Sequence, residues 1–413
     1  MRRMGQALLL ATSARLPYRV LRCAHDCFEA VFVFGSSEAR LLRFSVACAG
    51  FTPANVHEGD FASVPVESVN RACRQLRIDT VLPGDGETTR WLGVHGHLLD
   101  AHCFPVPEAD VFDTLDDKHA FALFCHELDI PVPPMVLMEN AAQVAEAVRR
   151  GTLNLPAIVK PLRLWGSLGV AKFDRDNAET ALAGIDYAPV LVQGYIPGRD
   201  LSAFFVCHSG KVRAEVIYEL TPERVHFIRH DAIVELARRM ITRFAYNGVV
   251  GFDIRERPDG ALFFLECNPR FGYRMDAARR AGLNFVALGR SEGADDTVLG
   301  LDDTWIPRPR SLYVNPLWML DESMRGLALE LMSDVAVNVG FLAEKGFRFR
   351  RHAHGKSMQS SRIGWNKAPM CPPEGDGDGR AERLHVLDDT VQADRVPMDD
   401  DSVMSLRPVA RKP

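Results

Sequence analysis

The chain has 413 residues, enough for about two to four folding units at roughly 100–200 residues each. It is 47% hydrophobic and 25% charged with a formal net charge of −5, the make-up of an ordinary globular protein. That balance argues against a nucleic-acid partner or an anionic membrane surface.

Nine cysteines with no disulfide framework and no clear secretory leader predict a reducing, cytoplasmic setting. Cys23 and Cys27 flank His25, but no second Cys/His pair follows at zinc spacing, so these read as structural thiols. Met1-Arg2-Arg3 followed by Ala7–Ala11 imitates a signal peptide. Its apolar run falls below the ~7–15 residues of a secretory core, and a buried first strand is predicted instead. No stretch approaches the ~18 apolar residues of a membrane helix.

In chain order, Ala7–Ser13 and Ala30–Gly35 read as buried strands, with a helical mixture over Pro17–Asp26 between them. Glu67–Leu76 reads as a helix, and Thr80–Gly84 as a strand stopped by Pro and Gly. A helix over Glu87–Leu99 follows Asp85, a good N-cap. Strands alternating with helices predict a small Rossmann-like parallel unit over residues 1–108. It lacks a G-x-G-x-x-G fingerprint, so no dinucleotide is assigned to it.

Phe121, Phe124, Cys125 and Leu128 fall on one face of a further helix, capped by Thr114 or Asp116 and stopped by Ile130-Pro131-Val132-Pro133. Ala157–Lys160 and Val190–Tyr195 read as strands. Leu201–His208 and Val212–Tyr218 flank Ser209-Gly210 as a hairpin. A helix over Asp231–Phe244 leads to a second hairpin, Val249–Ile254 and Ala261–Asn268, around Pro258-Asp259-Gly260. Helices are predicted near Met275–Ala281 and Ser323–Leu331. From about His352 the pattern ends in a Pro/Gly/Asp-rich, acidic stretch, and residues 352–413 read as a disordered tail.

The second hairpin carries the chemistry. If Asp259-Gly260 form a two-residue loop, Asp253 lies directly opposite Glu266, with Asn268 on the same face. Phe252, Ile254, Phe263 and Leu265 then form the apolar face. Facing carboxylates destabilise a sheet, and a cation removes the penalty. Two carboxylates and an amide oxygen are hard ligands that suit Mg²⁺. By itself the hairpin fits either a magnesium site or a solvated acidic face.

Upstream, Ala157–Lys160 ends in a lysine followed by the Gly-rich segment Leu162–Val170. Glycines there let backbone N–H groups approach phosphate oxygens, and Lys160 adds a point charge. No Gly-Lys-Ser/Thr ends the loop, so it is not a P-loop. Gln193 to Asp200 is a strand entering a Pro-Gly turn, whose free backbone groups suit an adenine edge and whose Asp200 suits a ribose.

Taken in order, Asp117-Lys118, Ile130-Pro131-Val132-Pro133, Val159-Lys160-Pro161, the Gly-rich loop, Tyr195-Ile196-Pro197-Gly198-Arg199-Asp200, Phe252-Asp253 and Glu266-Cys267-Asn268-Pro269-Arg270 resemble the ATP-grasp superfamily. The resemblance covers about Phe112 to Phe285. It is nearest to the carbamoyl-phosphate synthetase, biotin carboxylase and carboxylate–amine ligase branches. It implies an α/β fold with an α+β ATP-grasp core: the Rossmann-like domain, a lid subdomain over 109–188, a C-terminal subdomain over 189–351, and the tail.

The resemblance also implies residue roles. Lys118 and Lys160 contact phosphates, and Gly166, Ser167, Leu168 and Gly169 lie over the β- and γ-phosphates. Gln193, Gly194, Tyr195 and Ile196 meet adenine, and Asp200 the ribose. Asp253, Glu266 and Asn268 bind one or two Mg²⁺ ions, with Mn²⁺ as the alternative. Arg270 and Lys160 are the catalytic residues. Gln193 stands where such enzymes often carry Glu, and the Phe271-Gly272-Tyr273-Arg274 continuation is unlike biotin carboxylase.

The implied activity is a carboxylate–amine ligase that activates an acid as an acyl phosphate for attack by an amine. A phosphotransferase and a non-catalytic ATP-binding module are the alternatives. Arg274 and Glu87 are the candidate contacts to the small-molecule acid and amine; for each, an ion pair or a helix-end carboxylate is the competing reading. Trp165 either covers the site or packs beside it. Arg279 and Arg280 read as a solvated helix face. Relatives of this kind are often homodimers.

Overall fold

The computed structural model describes residues 3, 5–163, 168–290, 298–309 and 322–343. Trp165, Gly166, Ser167 and the tail 352–413 lie outside the described residues.

The apolar runs of the N-terminal third build a parallel sheet. Its elements are β1 (Gln6–Ala11), α1 (Arg15–His25), β2 (Ala30–Gly35), β3 (Gly50–Pro53), α2 (Val66–Leu76), β4 (Thr80–Pro83), α3 (Gly86–His95) and β5 (His102–Cys103). The strand order is β3-β2-β1-β4-β5, with parallel pairing throughout. Strands covered on both faces read as continuous hydrophobic runs, as β1 does. Asp85 closes a capping box on α3, accepting from Thr88 N at 3.1 Å while Thr88 Oγ1 accepts from Asp85 N at 3.0 Å. The same carboxylate accepts from Thr12 N at 2.7 Å, tying the start of α3 to the end of β1.

Next come α4 (Ala109–Asp116) and α5 (Lys118–Glu127). Asp117, rather than Thr114 or Asp116, caps α5, accepting from His119 N and Ala120 N; Asp116 is still the last residue of α4. A four-stranded antiparallel sheet follows, from β6 (Met135–Met138), β7 (Ala157–Lys160), β8 (Ala171–Phe173) and β9 (Val190–Gly194), in the order β6-β9-β7-β8. Val144 and Val148 of α6 (Ala141–Arg150) and Leu182 of α7 (Ala178–Leu182) pack on it. This sheet runs through the expected boundary at 188/189, because β9 pairs with β6 and β7. Phe121 and Cys125 of α5 pack instead with Phe205 and Phe252 of the larger sheet.

That larger sheet comprises β10 (Arg199–His208), β11 (Lys211–Leu220), β12 (Arg224–Ile228), β13 (Gly248–Glu256), β14 (Leu262–Asn268), β15 (Leu299–Gly300) and β16 (Thr304–Pro307). Its order is β14-β13-β10-β11-β12-β16, with β15 beside β11. Period-2 alternation divides β10, β11 and β13 between two cores. Phe205 of β10 faces α8 (Asp231–Arg243), while Phe204 joins Tyr18 of α1 and Phe271 in a core shared with the parallel sheet. Short helices α9 (Met275–Arg280) and α10 (Phe285–Gly289) complete that core, and α11 (Glu322–Ser333) and α12 (Val335–Ala343) lie beside α1.

Two expectations change. The β13–β14 turn has three residues, not two: Arg257 N donates to Ala261 O and Gly260 N to Arg257 O, both at 2.9 Å, with Gly260 at φ +84°. This shifts the register near the turn, so Leu262 and Phe264, rather than Phe263 and Leu265, join Phe252 and Ile254 in the core. Arg279 and Arg280 are not a solvated face. Arg279 pairs with Asp26 at 2.8 Å and with Glu330, and Arg280 NH1 donates to Pro307 O at 3.1 Å.

Candidate active site

The β13–β14 ladder brings three expected ligands together. Asp253 pairs with Glu266 and Gly251 with Asn268, because a bulge at Leu265 restores the register that the longer turn displaced. Ser202 Oγ donates to Asp253 Oδ1 at 2.8 Å, and Asn268 Nδ2 to Asp253 Oδ2 at 3.2 Å. Arg270 NH2 donates to Asn268 Oδ1 at 2.7 Å, and its NH1 to Phe271 O at 3.1 Å. Ser202, Asp253, Asn268 and Arg270 thus form one hydrogen-bonded chain.

Two buried lysines approach from other elements. Lys118, the first residue of α5, stands 3.5 Å from Glu266 Oε2. Lys160, the last residue of β7, donates to Leu265 O at 3.0 Å. Burial pushes the Lys160 ammonium down to about 8, against the pull of Glu266. The facing carboxylates divide. Burial and the charge of Glu266 raise Asp253. Burial also pushes Glu266 upward, but Lys118 and Lys160 outweigh it and leave it below its ordinary value.

The donor set fits a hard divalent cation. Two adjacent, half-buried carboxylates, one of them hydrogen-bonded by the Asn268 amide, carry a repulsion that a cation would remove. Among the described residues no three His, Cys, Asp or Glu side chains are grouped for a metal.

The other expected residues lie around this centre. Gln193 is buried, and its Nε2 has no hydrogen-bond partner among the described residues, an expensive state for an interior donor. Gly194 N already donates to Pro134 O at 2.8 Å, and Ile196 O accepts from Arg255 NH1 at 2.9 Å. The Tyr195 ring lies under Lys172, whose Nζ is 3.4 Å from its centroid. Asp200 is exposed and pairs with Arg255 at 2.7 Å. Leu168 is exposed. Gly169 has φ +73°, and a Cβ there would meet Tyr187 at 2.9 Å, so the end of the Gly-rich segment needs glycine.

The parallel sheet also reaches the centre. A Cβ on Gly86 would lie 3.3 Å from Arg270 Cδ, so the first turn of α3 rests against that arginine. Glu87 beside it accepts from Gly59 N at 3.0 Å through both oxygens, and burial followed by the Asp85 charge raises its carboxyl to about 8. The Arg274 guanidinium makes no hydrogen bond or ion pair among the described residues, and its charge acts on the buried Tyr218 hydroxyl together with that of Asp253.

Two residues were missed in the sequence. Ser202 could have been found by its two-residue offset from Asp200 on one strand. Asp116 has no such signal: burial raises its carboxyl to about 6 against the pull of Arg270, Lys118 and Arg163.

Residues 186–299 match a family described as "ATP-grasp in the biosynthetic pathway with Ter operon". The chain is 24% identical over 178 residues to the carbamoyl phosphate synthase arginine-specific large chain of Geobacillus stearothermophilus, covering 39% of this chain and 17% of that one. It is 28% identical over 178 residues to the D-alanine–D-alanine ligase of Bifidobacterium longum subsp. infantis, covering 38% and 45%. The chain thus spans less than half the length of these curated relatives. The ADP complex of N5-carboxyaminoimidazole synthetase from Staphylococcus aureus shares the fold, with a TM-score of 0.55, 12% identity and coverage of 71% of this chain and 80% of that one.

Proposed function

We propose that this chain is a Mg-ATP-dependent carboxylate–amine ligase of the ATP-grasp superfamily, a reading supported by the family match over residues 186–299 and by the curated relatives. The observation that carries the reading is the hydrogen-bonded chain from Asp253 through Asn268 to Arg270, flanked by Lys118, Lys160 and Glu266. Nucleotide binding alone has no need of a guanidinium joined to the metal ligands.

In this reading Asp253, Glu266 and Asn268 would hold the metal, and a divalent ion there would supply charge neutralisation for phosphoryl transfer. Lys118 and Lys160 contact the phosphates. The unpartnered Gln193 Nε2 meets the adenine edge, and Asp200 the ribose. Leu168 and Gly169 cover the phosphates. Arg270 binds the developing oxyanion of the acyl phosphate, where a fixed donor is worth about 10²–10³-fold in rate. Glu87 and Arg274 flank the acid and amine substrates. The four-stranded sheet is the lid subdomain.

The test is incubation of the chain with ATP, Mg²⁺ and pools of acids and amines. Substrate-dependent ADP release with an amide product supports the ligase. ADP release with a phosphorylated acid or alcohol as the final product makes it a phosphotransferase. ATP binding without ADP release across a wide pool makes it a binding module.

A further inference from the structure

One cross-strand row carries the site beyond its metal ligands. Glu266 lies opposite Asp253, Asp253 opposite Ser202, and Ser202 opposite Tyr218, on four neighbouring strands from β14 to β11. Directly opposed residues point to the same face of a sheet, so Tyr218 faces the same way as the two carboxylates. Ser202 Oγ gives its proton to Asp253 Oδ1, and the Tyr218 hydroxyl lies beside Ser202. The Tyr218 ring is buried and held by other rings. It stacks on Phe204 with centroids 6.3 Å apart and planes 5° from parallel, and meets Phe227 edge-on at 5.9 Å.

The segment after Arg270 crosses over this end of the row. A Cβ on Gly251 or on Gly272 would collide with the Phe204 ring, so the ring fits between them only because both are glycine. Gly272 resting on Phe204 brings Arg274 toward the neighbouring Tyr218, whose hydroxyl feels its charge. Asp276, the one acid of α9, is taken by Arg19 at 2.9 Å. Arg274 is half-buried and has no ion pair among the described residues.

The row therefore has cations at both ends, in different company. At the β14 end Lys118 stands beside Glu266 and Lys160 beside Leu265 O, where the phosphates are proposed to lie. At the β11 end are a guanidinium without an anion and a phenol with one proton to donate. Together they make a carboxylate receptor. The guanidinium supplies charge and a fork of N–H donors, and the hydroxyl supplies a further donor. Leaving such groups without an anion away from bulk water costs free energy that a bound carboxylate returns.

We infer that Arg274 and Tyr218 form a subsite for a substrate carboxylate that is not consumed in the reaction. The substrates then include a dicarboxylic acid or an amino acid, rather than a simple monoacid with a simple amine. The inference rests on the ligase reading for what enters the cleft, and adds which group of the substrate stays ionised and free.

The experiment is a binding panel on the full chain with Mg²⁺ and a non-hydrolysable ATP analogue, read by calorimetry. One set holds the dicarboxylic acids from malonate to adipate and their monoamides. The other holds the common L-amino acids and their carboxamides. At least one carboxylate is expected to bind about ten- to a hundredfold more tightly than its amide counterpart. Preference in the first set puts the free carboxylate on the acid, and preference in the second puts it on the amine. Arg274→Gln is expected to abolish the preference. Tyr218→Phe, which keeps the ring stack, is expected to reduce it several-fold, with affinity for the ATP analogue held within about twofold in both variants. No preference in either set, or a preference that survives Arg274→Gln, overturns the inference. Preferential binding without ADP release from ATP sinks the ligase reading and leaves the subsite standing. ADP release confined to monoacids and amines that lack a carboxylate does the reverse.

Discussion

Two charge clusters in this chain obey opposite rules. Between α1, α9 and α11, each charge meets its opposite: Arg19 pairs with Asp276 at 2.9 Å, Arg22 with Asp334 at 3.2 Å, and Arg279 with Asp26 at 2.8 Å. Burial alone would raise the Asp276 carboxyl, but Arg19, Arg280, Arg274 and Arg279 hold it below its ordinary value. At the β13–β14 hairpin, like faces like. Asp253 opposes Glu266, and Lys160 is bonded to a backbone carbonyl rather than a carboxylate. In the first cluster opposite charges pair, although Arg22 Nε, Asp276 Oδ1 and Arg279 Nε have no hydrogen-bond partner among the described residues; in the second, like charges adjoin, the arrangement proposed above to receive a ligand.

Breaking the second cluster should affect turnover and spare the fold. Asp253→Asn is expected to lower Mg-ATP turnover about 10³-fold. Its unfolding midpoint without metal should stay level or rise, since a like-charge contact is relieved. A large loss of stability would show that the pair is structural after all.

The first cluster should respond in the reverse sense. Asp334→Ala removes the acceptor of Tyr18 OH and Ser45 Oγ and one of the two acids that pair with Arg22, and is expected to cost about 3–5 kcal/mol in urea unfolding. ATP affinity in native buffer should not move.

A smaller, pH-dependent effect sharpens the contrast. Lys160 is held down at about 8, so it is charged at pH 7 and increasingly neutral above 8. ATP affinity by calorimetry should fall as pH rises from 7 to 9, by at most about tenfold per unit. Lys160→Met should bind weakly with that component of the pH dependence gone.

The smallest effect belongs to Glu87, whose carboxyl is raised to about 8. A raised carboxyl binds more protons folded than unfolded, so its contribution to stability declines from about pH 4.5 to 8. Glu87→Gln should therefore melt higher than the parent above pH 8, by the order of a few degrees, with the gap closing toward pH 5.

Much of this was legible from local rules. The runs of β1, β2 and β4 and the Asp85 cap need only burial and helix-end chemistry. The Asp253–Glu266 pairing was read correctly through a wrong turn, because the extra loop residue and the bulge at Leu265 cancel. Short strands such as β8 and β15 carry too few residues for a period to show. The partners of β9 and the inward course of Arg279 depend on elements far away in the chain, and no local pattern reports them.

Leu265 has no partner across the ladder, and its carbonyl receives Lys160 Nζ. The lysine is therefore aimed by main chain, which every amino acid possesses. Replacing the Leu265 side chain should leave Lys160 where it is, whereas deleting the residue removes its acceptor while Asp253 still meets Glu266. Tolerance of substitution combined with intolerance of deletion, at a position outside the ligand set, is the mutational signature of a sheet irregularity used as a bracket for a charged side chain.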